Sequence, residues 1–263
     1  MKTISELLEY VIEAGHHREE KTLLQLAILA MLSGAFIALG AVGNIFVSSD
    51  IFFTNVNLAK FLGACVFPVG LIAIILLKFE LFTSNCMMTI AVLEKKMKLS
   101  KMFKILAIVW IFNLVGGIII AGITYKTGTF NENSVKVLQV YAHHKVTTSA
   151  LDMVLKGIMC NILVCTASLL GYIAKDGISK IFGIWFPIML FILLGYSHVV
   201  ANMLYLPLSY MYGFEGVTIP AILYNFLCVT IGNFIGGGII VTMGLWYANK
   251  LSLIHISEPT RPY

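Results

Sequence analysis

Charged residues are scarce in this chain. Only 12% of the residues are Asp, Glu, Lys or Arg, whereas 59% are hydrophobic and the mean hydropathy is +0.91. Soluble domains have about 25% charged residues, so this composition excludes an ordinary soluble protein. The net charge of +5 is modest, and we expect no nucleic-acid partner. The composition instead predicts an integral membrane protein whose surroundings are the lipid bilayer.

Metal-binding spacings are also missing. The five cysteines lie within or beside apolar runs and form no CxxC pair, which is typical of small buried side chains. His143 and His144 are adjacent, but no further ligand follows them at a suitable spacing. We therefore expect no metal and no cofactor.

Apolar runs predict six transmembrane helices, because a helix needs about 20 mostly apolar residues to cross a bilayer. The polar segment 1–20 has no cleavable signal and is expected to be an amphipathic cytoplasmic helix. The final segment, 251–263, departs from the pattern, and its ISEPTRPY portion is interpreted as a cloning remnant. The predicted spans lie at approximately 23–47, 68–96, 102–125, 149–174, 187–208 and 219–247, within a single channel domain of residues 1–250.

The distribution of Lys and Arg predicts that both termini are cytoplasmic. These residues concentrate before the first span, after the second, after the fourth and at the end of the sixth, and such an excess marks cytoplasmic segments. Lys126, Lys136 and Lys145 in the third loop are the exception. Lys145 is either solvated or draws anions toward an entrance. Lys156, inside the fourth span, is expected to reach the membrane interface.

Two spans combine an apolar run with polar residues. The second carries Glu80 and the sequence Thr83, Ser84, Asn85, and the fifth contains Ser197 and His198. A charge at mid-membrane costs at least about 2.5 kcal/mol, so such residues face an interior or a water-filled path. Two interrupted spans in corresponding halves of a chain point to a transport site. We therefore predict that helices two and five are broken here.

The two halves of the chain are similar in sequence. Asn113-Leu-Val-Gly-Gly in the third span matches Asn233-Phe-Ile-Gly-Gly in the sixth, and a broken span precedes each. Because each half has three spans, the second half must enter the membrane in the opposite orientation. The sequence therefore predicts two inverted three-helix repeats, residues 21–125 and 149–250, whose breaks meet near mid-bilayer.

The polar residues at the first break suit two roles. Thr83, Ser84 and Asn85 can cap a helix that resumes at Cys86, and that helix start also offers N–H groups to an anion. His198 is the only histidine within a predicted span, which favours a function for its titratable ring.

These sequences resemble the motifs of the formate–nitrite transporter family. ELFTSN, KGIMCNILVC, GYSHVVANM and GNFIGGG occur in the family's order and at its spacing, between Leu7 and Lys250. The resemblance implies an all-α, aquaporin-like fold without enzymatic activity, and a homopentamer in a bacterial inner membrane with one pore per protomer. It implies formate, nitrite or hydrosulfide as the substrate, and overall likeness to one branch favours hydrosulfide.

The resemblance also implies roles for single residues. Thr83 would lie in the loop that interrupts the second helix, His198 at the centre of the pore and Lys145 on the external side. The residue before Leu81 is acidic, whereas Ser197 stands where some members have an acid. Further implied residues are Asn161 and Asn233 beside the path, Leu71 and Leu81 as the cytoplasmic constriction, and Phe67 and Phe191 as the periplasmic one.

Our hypothesis is that His198 hydrogen-bonds or protonates the anion between the two constrictions, because a bare anion enters an apolar region only at high cost. A proton-coupled secondary transporter on the same scaffold is one alternative. A neutral-solute channel of the aquaporin type is another, although it predicts an Asn-Pro-Ala sequence at both breaks, which this chain lacks. A haem-anchoring subunit of a redox enzyme would require histidines on facing spans.

Overall fold

The computed structural model describes residues 3–257, with side chains as far as Leu251, and every regular element in this range is helical. Five helical segments are long and apolar enough to cross a membrane, and three shorter apolar helices accompany them. The long segments are Leu23–Ser48, Val56–Leu77, Leu99–Lys126, Ala150–Ile173 and Ile219–Leu251, and the shorter helices are Phe82–Leu93, Gly177–Leu193 and Val199–Met211.

Thirteen α-helices are described, with one 3₁₀ turn at Cys86–Met88 and one π-helix at Ile235–Met243. Helix α13 reaches into the predicted cloning remnant, of which residues 258–263 lie outside the described residues. In chain order the helices are α1 (Ile4–Glu20), α2 (Leu23–Ser48), α3 (Val56–Val66), α4 (Val69–Leu77), α5 (Phe82–Asn85), α6 (Thr89–Leu93), α7 (Leu99–Lys126), α8 (Glu132–Thr147), α9 (Ala150–Ile173), α10 (Gly177–Leu193), α11 (Val199–Met211), α12 (Ile219–Phe234) and α13 (Gly244–Ser257).

Two helical breaks have the same geometry. Helix α4 ends at Lys78, which has left-handed backbone angles (φ 57°), and the turn after α10 contains Gly195 with φ 70°. Glycine adopts this conformation without steric cost, whereas a lysine there is held by the surrounding structure. Matching hydrogen bonds close the two helix ends, from Phe79 N–H to the Ile74 carbonyl and from Tyr196 N–H to the Phe191 carbonyl.

The broken spans begin earlier than their prolines suggest. The first starts at Val56, before the predicted start at Pro68, and the second starts at Gly177, before Pro187. Pro68 lies at the first turn of α4, where its missing N–H costs nothing, and Pro187 lies inside α10. Proline is tolerated in membrane helices, so reading it as a starting signal was wrong.

The helices pack in two groups around the breaks. Helix α2 packs against α3, α4 and α7, while α9 packs against α10, α12 and the π-helix. Helix α11 crosses between the groups, because it contacts α2, α7 and α12. Helix α1 lies against α6, and α8 lies against α11. This arrangement brings the start of α5 and the start of α11 into the interior.

Candidate functional site

Thr83 and His198 meet in the interior. The Thr83 Oγ1 atom lies 2.9 Å from Nε2 of His198, and the two residues are 0% and 2% exposed. Nδ1 of His198 accepts the N–H of Ala201 at 3.1 Å, so in the neutral ring the proton is on Nε2 and is donated to the Thr83 oxygen. The Thr83 hydroxyl keeps its own hydrogen for a further acceptor.

A small apolar cavity adjoins His198. Its volume is about 10 Å³, close to the minimum that holds one water molecule. The rings of Phe67 and Phe191 meet edge-to-face with centroids 5.6 Å apart, and Phe191 also lies 5.8 Å from the His198 ring. The residues around the cavity therefore include all four predicted constriction residues, and the complete lining is Ile37, Phe67, Leu71, Leu81, Val164, Ile188, Phe191 and His198.

Asn233 holds the second break in place. Its Oδ1 accepts the N–H of Val199 at 2.9 Å, and its Nδ2 donates to the carbonyls of Gly157 at 2.8 Å and Ser197 at 2.9 Å. Asn233 is fully buried, and its bonds satisfy main-chain groups that the break leaves without helical partners.

Asn113 holds the first break by a matching set of bonds. Its Oδ1 accepts the N–H of Phe82 at 3.0 Å, and its Nδ2 donates to the carbonyls of Ala30 at 2.7 Å and Glu80 at 3.1 Å. Sequence analysis noted Asn113 only as part of the repeat. The signal for its role was its agreement with Asn233, which the family resemblance placed beside the path.

The predicted cap at the first break is wrong. The helix restarts at Phe82 instead of Cys86, its N-cap is Leu81, and no side chain next to it in sequence caps it. Thr83, Ser84 and Asn85 lie inside the first turn. The N–H of Phe82, the first of the restarted helix, donates to the side-chain amide of Asn113 on α7. This N–H is therefore not available to an anion, contrary to our expectation. At the second break His198 itself is the N-cap.

Asn161 and Ser84 tie the restarted helix to α9. The Asn161 Nδ2 donates to the carbonyl of Thr83 at 3.2 Å and to that of Asn233 at 2.6 Å. The hydroxyls of Ser84 and Ser168 are 3.0 Å apart. Both predicted site residues are buried, and their contacts position the backbone of Thr83.

A cavity of about 500 Å³, here called the α8 vestibule, opens on one side of His198. The Lys145 Nζ donates to Oδ1 of Asn202 at 2.6 Å and lies 5.1 Å from the centroid of the Tyr205 ring. Burial lowers the pKa of Lys145 to about 8, and the positive charge of Lys156 acts in the same direction. Lys156 also lines this vestibule, and its expected position at the membrane interface stays a prediction. The described lining contains no Asp or Glu, and its titratable residues are Lys60, Tyr141, His144, Lys145, Tyr196, Tyr205, Lys156 and His198.

A second cavity of about 260 Å³, the α1 vestibule, lies between α1 and the first break. It contains the buried carboxylate of Glu80, which accepts from Arg18 Nε at 2.7 Å, Lys21 Nζ at 2.9 Å and Asn85 Nδ2 at 2.8 Å. Sequence analysis missed this cluster. A carboxylate in an apolar span is stable only beside cations. Arg18 and Lys21, at the end of α1, were the candidates that the sequence offered.

Within the described residues, no group of three or more His, Cys, Asp or Glu side chains could hold a metal ion. Apolar helices of membrane-spanning length, two internal breaks and a vestibule beside each break define an integral membrane transport protein. The chain belongs to the formate/nitrite transporter family, because the family model described as Formate/nitrite transporter matches residues 5–247.

Individual relatives agree with this assignment. The chain is 38% identical over 250 residues to the Uncharacterized transporter YrhG of Bacillus subtilis (strain 168), covering 92% of this chain and 91% of the relative. It is 36% identical over 234 residues to the Formate channel BtFdhC of Bacillus thuringiensis, covering 88% and 90%. These relatives are transporters and channels, so the protein is a membrane transporter and not an enzyme.

Two solved structures share the fold. One, described as an FNT family ion channel, has a TM-score of 0.84 and 26% identity, and the match covers 93% of this chain and 98% of that one. The other, described as a pentameric formate channel with formate bound, has a TM-score of 0.77 and 27% identity, and covers 89% and 98%.

Proposed function

We propose that the protein passes small monovalent anions across the membrane, with formate as its first substrate. A relative named as a formate channel and a structural neighbour with formate bound support formate over the hydrosulfide that sequence likeness favoured. Nitrite and hydrosulfide stay as further substrates to be tested. The observation that carries the proposal is the Thr83–His198 hydrogen bond beside an apolar cavity, with a vestibule on each side.

The path runs from the α8 vestibule to the α1 vestibule. Lys145 attracts the anion into the α8 vestibule, which carries positive charge without an acidic residue in its described lining. Between the Phe67–Phe191 and Leu71–Leu81 constrictions the anion loses its water, at a high cost in free energy. There the Thr83 hydroxyl donates a hydrogen bond to the anion. The neutral His198 ring hydrogen-bonds the anion, whereas a His198 ring that has first taken up a proton gives that proton to the anion and returns to its neutral form.

The assembly and orientation follow from the same proposal. Both termini lie in the cytoplasm of a bacterial cell, the α8 vestibule faces outward and the protein is in the inner membrane. Five copies form a homopentamer in which each protomer has its own pore, as the pentameric formate channel suggests. The matching bonds of Asn113 and Asn233 support six spans in two inverted repeats, residues 21–125 and 149–250, of aquaporin-like topology.

A proton-coupled secondary transporter is the second candidate. It is favoured by the titratable ring of His198 at the centre of the path. Coupled transport predicts that formate uptake saturates and follows the direction of an imposed pH gradient. Channel conduction predicts uptake that follows the formate gradient when no pH difference is present.

The test is flux into liposomes that contain the purified protein. We expect formate, nitrite and hydrosulfide to enter faster than chloride, and Thr83→Val to slow all three because its hydroxyl is lost. Thr166→Val is the matched control, since among the described residues the Thr166 hydroxyl bonds only a carbonyl of its own helix. Entry of none of the three anions above the chloride rate would contradict the proposal, and so would equal rates in the two threonine variants.

A further inference from the structure

A further cavity, of about 150 Å³, lies where the end of α1 meets the beginnings of α2 and α7. We call it the basic pocket, because its charged residues are four cations and a single acid, namely Arg18, Lys21, Lys101, Lys104 and Glu19. Arg18 and Lys21 also line the α1 vestibule, whereas Lys101 and Lys104 do not. The basic pocket is therefore a separate cavity that shares two cations with the α1 vestibule, and the proposed anion path does not use it.

Carboxylates neutralise only part of the charge of the basic pocket. Arg18 and Lys21 both bond the carboxylate of Glu80, at 2.7 and 2.9 Å, so two cations share one acid. Glu19 also lines the pocket, and its carboxylate lies 3.6 Å from Nδ1 of His16. Four cations are thus opposed by two carboxylates, and the pocket keeps a positive charge whether or not His16 is protonated.

The remaining charge comes from the first two turns of α7. The side chains of Lys101 and Lys104 are exposed, and among residues 3–251 neither forms an ion pair. The helix start adds to this charge, because no side chain caps α7 and its first N–H groups carry the positive end of the helix dipole. Helix α2 begins beside the same pocket, at Leu23. Phosphate groups bind to such combinations of cations and helix starts.

The other wall of the basic pocket is apolar. Leu23 and Leu26 of α2, with Ile105 and Ile108 of α7, complete its lining. These residues lie in the first three turns of two helices of membrane-spanning length, so the pocket is at the level where lipid headgroups meet the hydrocarbon. A free anion uses the cations alone, whereas a phospholipid uses the cations and the apolar wall together. Basic pockets between membrane helices are typical sites for anionic headgroups.

We propose that the basic pocket binds an anionic phospholipid, with its phosphate at the four cations and its acyl chains along α2 and α7. The donors that this requires are available. The two α7 lysines have no carboxylate partner in the described part of the chain. The Arg18 guanidinium has five N–H donors and the Lys21 ammonium has three, and Glu80 and Tyr172 occupy only part of them. The inference does not depend on which anion the protein transports.

A lipid in this position joins α1 to α7. Helix α1 packs mainly against α6 and contacts α7 at few positions. A phosphate bound by Arg18 of α1 and Lys104 of α7 adds a charged link between these two helices. Because Arg18 also bonds Glu80 at the first break, the lipid holds the end of α1 beside that break. Anionic lipid should therefore reduce the exposure of the α1 backbone to water.

The first test is thermal unfolding of the purified full chain in a neutral detergent, with phosphatidylglycerol, phosphatidylcholine of the same acyl chains, or inorganic phosphate added. We expect only phosphatidylglycerol to raise the unfolding temperature. The variant Lys101→Gln/Lys104→Gln should need about tenfold more of this lipid for the same rise, since each lysine near an anionic headgroup strengthens binding. The matched control is Lys175→Gln/Lys180→Gln, which removes two lysines outside the pocket and should respond as the wild type does.

Every other outcome of this test overturns the inference. If phosphatidylcholine stabilises the wild type equally, the charge plays no part, and if inorganic phosphate does so, the pocket takes a free anion and not a lipid. If the two double variants respond alike, the lipid acts through general surface charge or at another site. A wild type that does not respond to phosphatidylglycerol has no such site.

A second measurement follows α1 itself. Hydrogen exchange of the amides of Ile4–Glu20 is compared in bilayer discs of phosphatidylglycerol and of phosphatidylcholine. We expect exchange near Arg18 to be at least about threefold slower in phosphatidylglycerol, because the lipid opposes local opening of the helix. The Lys101→Gln/Lys104→Gln variant should show no difference between the two lipids. Equal exchange of the wild type in both lipids would contradict the link between α1 and α7.

Discussion

The Thr83 hydroxyl and Nε2 of His198 are hydrogen-bonded at 2.9 Å, although 115 residues separate them in the chain. Thr83 lies in the first turn of α5 and His198 is the N-cap of α11. The bond therefore joins the two broken spans at the point where each helix restarts. Any change at either residue alters both the restart of a helix and the polar contact beside the apolar cavity.

Replacing His198 with asparagine separates these two effects. Asparagine is a good N-cap, so the bond from the Ala201 N–H is kept, whereas the titratable ring is lost. We expect normal assembly, formate flux reduced at least about tenfold, and little remaining dependence on pH. Flux into liposomes between about pH 5 and 8 measures this. His198→Phe also removes the cap and should lower stability by about 1 kcal/mol. Unchanged flux in both variants would refute a role for the ring.

Lys145 predicts a fall in anion entry at alkaline pH. Its pKa of about 8 means that the charge is present below that pH and is lost as the pH rises through it. The attraction of formate should therefore weaken above about pH 8 in the wild type. Arginine stays charged throughout, so Lys145→Arg should keep its influx over the same range. A parallel decline in both proteins would contradict this role of the Lys145 charge.

Asn233→Ala should destabilise the second break. It leaves the Val199 N–H and the carbonyls of Gly157 and Ser197 without their bonds, and each unsatisfied buried group costs about 1–3 kcal/mol. Thermal unfolding in detergent measures the loss. The exposed Asn57 supplies the control, since Asn57→Ala should change stability by no more than about 0.5 kcal/mol. A small effect at Asn233 would mean that water takes over its bonds.

The Glu80 cluster predicts strong coupling between α1 and the first break. Glu80→Gln leaves the Arg18 charge beside a neutral side chain in a buried setting, at a cost of about 3–5 kcal/mol. The double variant with Arg18→Gln should cost less than the sum of the single changes. Unfolding temperatures of the four proteins give the coupling. Glu132→Gln breaks an exposed ion pair with Lys136 and should have little effect. Additive losses would contradict a coupled pair.

Sequence reasoning located the breaks because polar residues in an apolar run are costly and rare. ELFTSN and the region of His198 were identified on that ground, and the structure places Thr83 and His198 in contact. It failed where a partner is distant in the chain. The cap of α5 comes from Asn113 on α7, and no local pattern around Phe82 indicates it.

Charge pairing was missed for a related reason. Arg18 and Lys21 were counted as evidence for orientation, and Glu80 as an intramembrane charge, but the two observations were not joined. Once Glu80 is placed in an apolar environment, physical chemistry requires a cation within hydrogen-bond distance. The two prolines were misleading because proline is tolerated in membrane helices. Neither Pro68 nor Pro187 marks the start of its span.

Gly237 in the π-helix lies directly against Asn161 and Cys165, and a β-carbon added there would collide with both side chains. Asn161 in turn donates to the carbonyl of Thr83. A single methyl group at residue 237 would therefore displace the Asn161 amide and, through it, the backbone of Thr83 at the transport site. Random mutagenesis should accordingly yield alleles at this glycine that insert into membranes and oligomerise, yet do not support growth on an imported substrate.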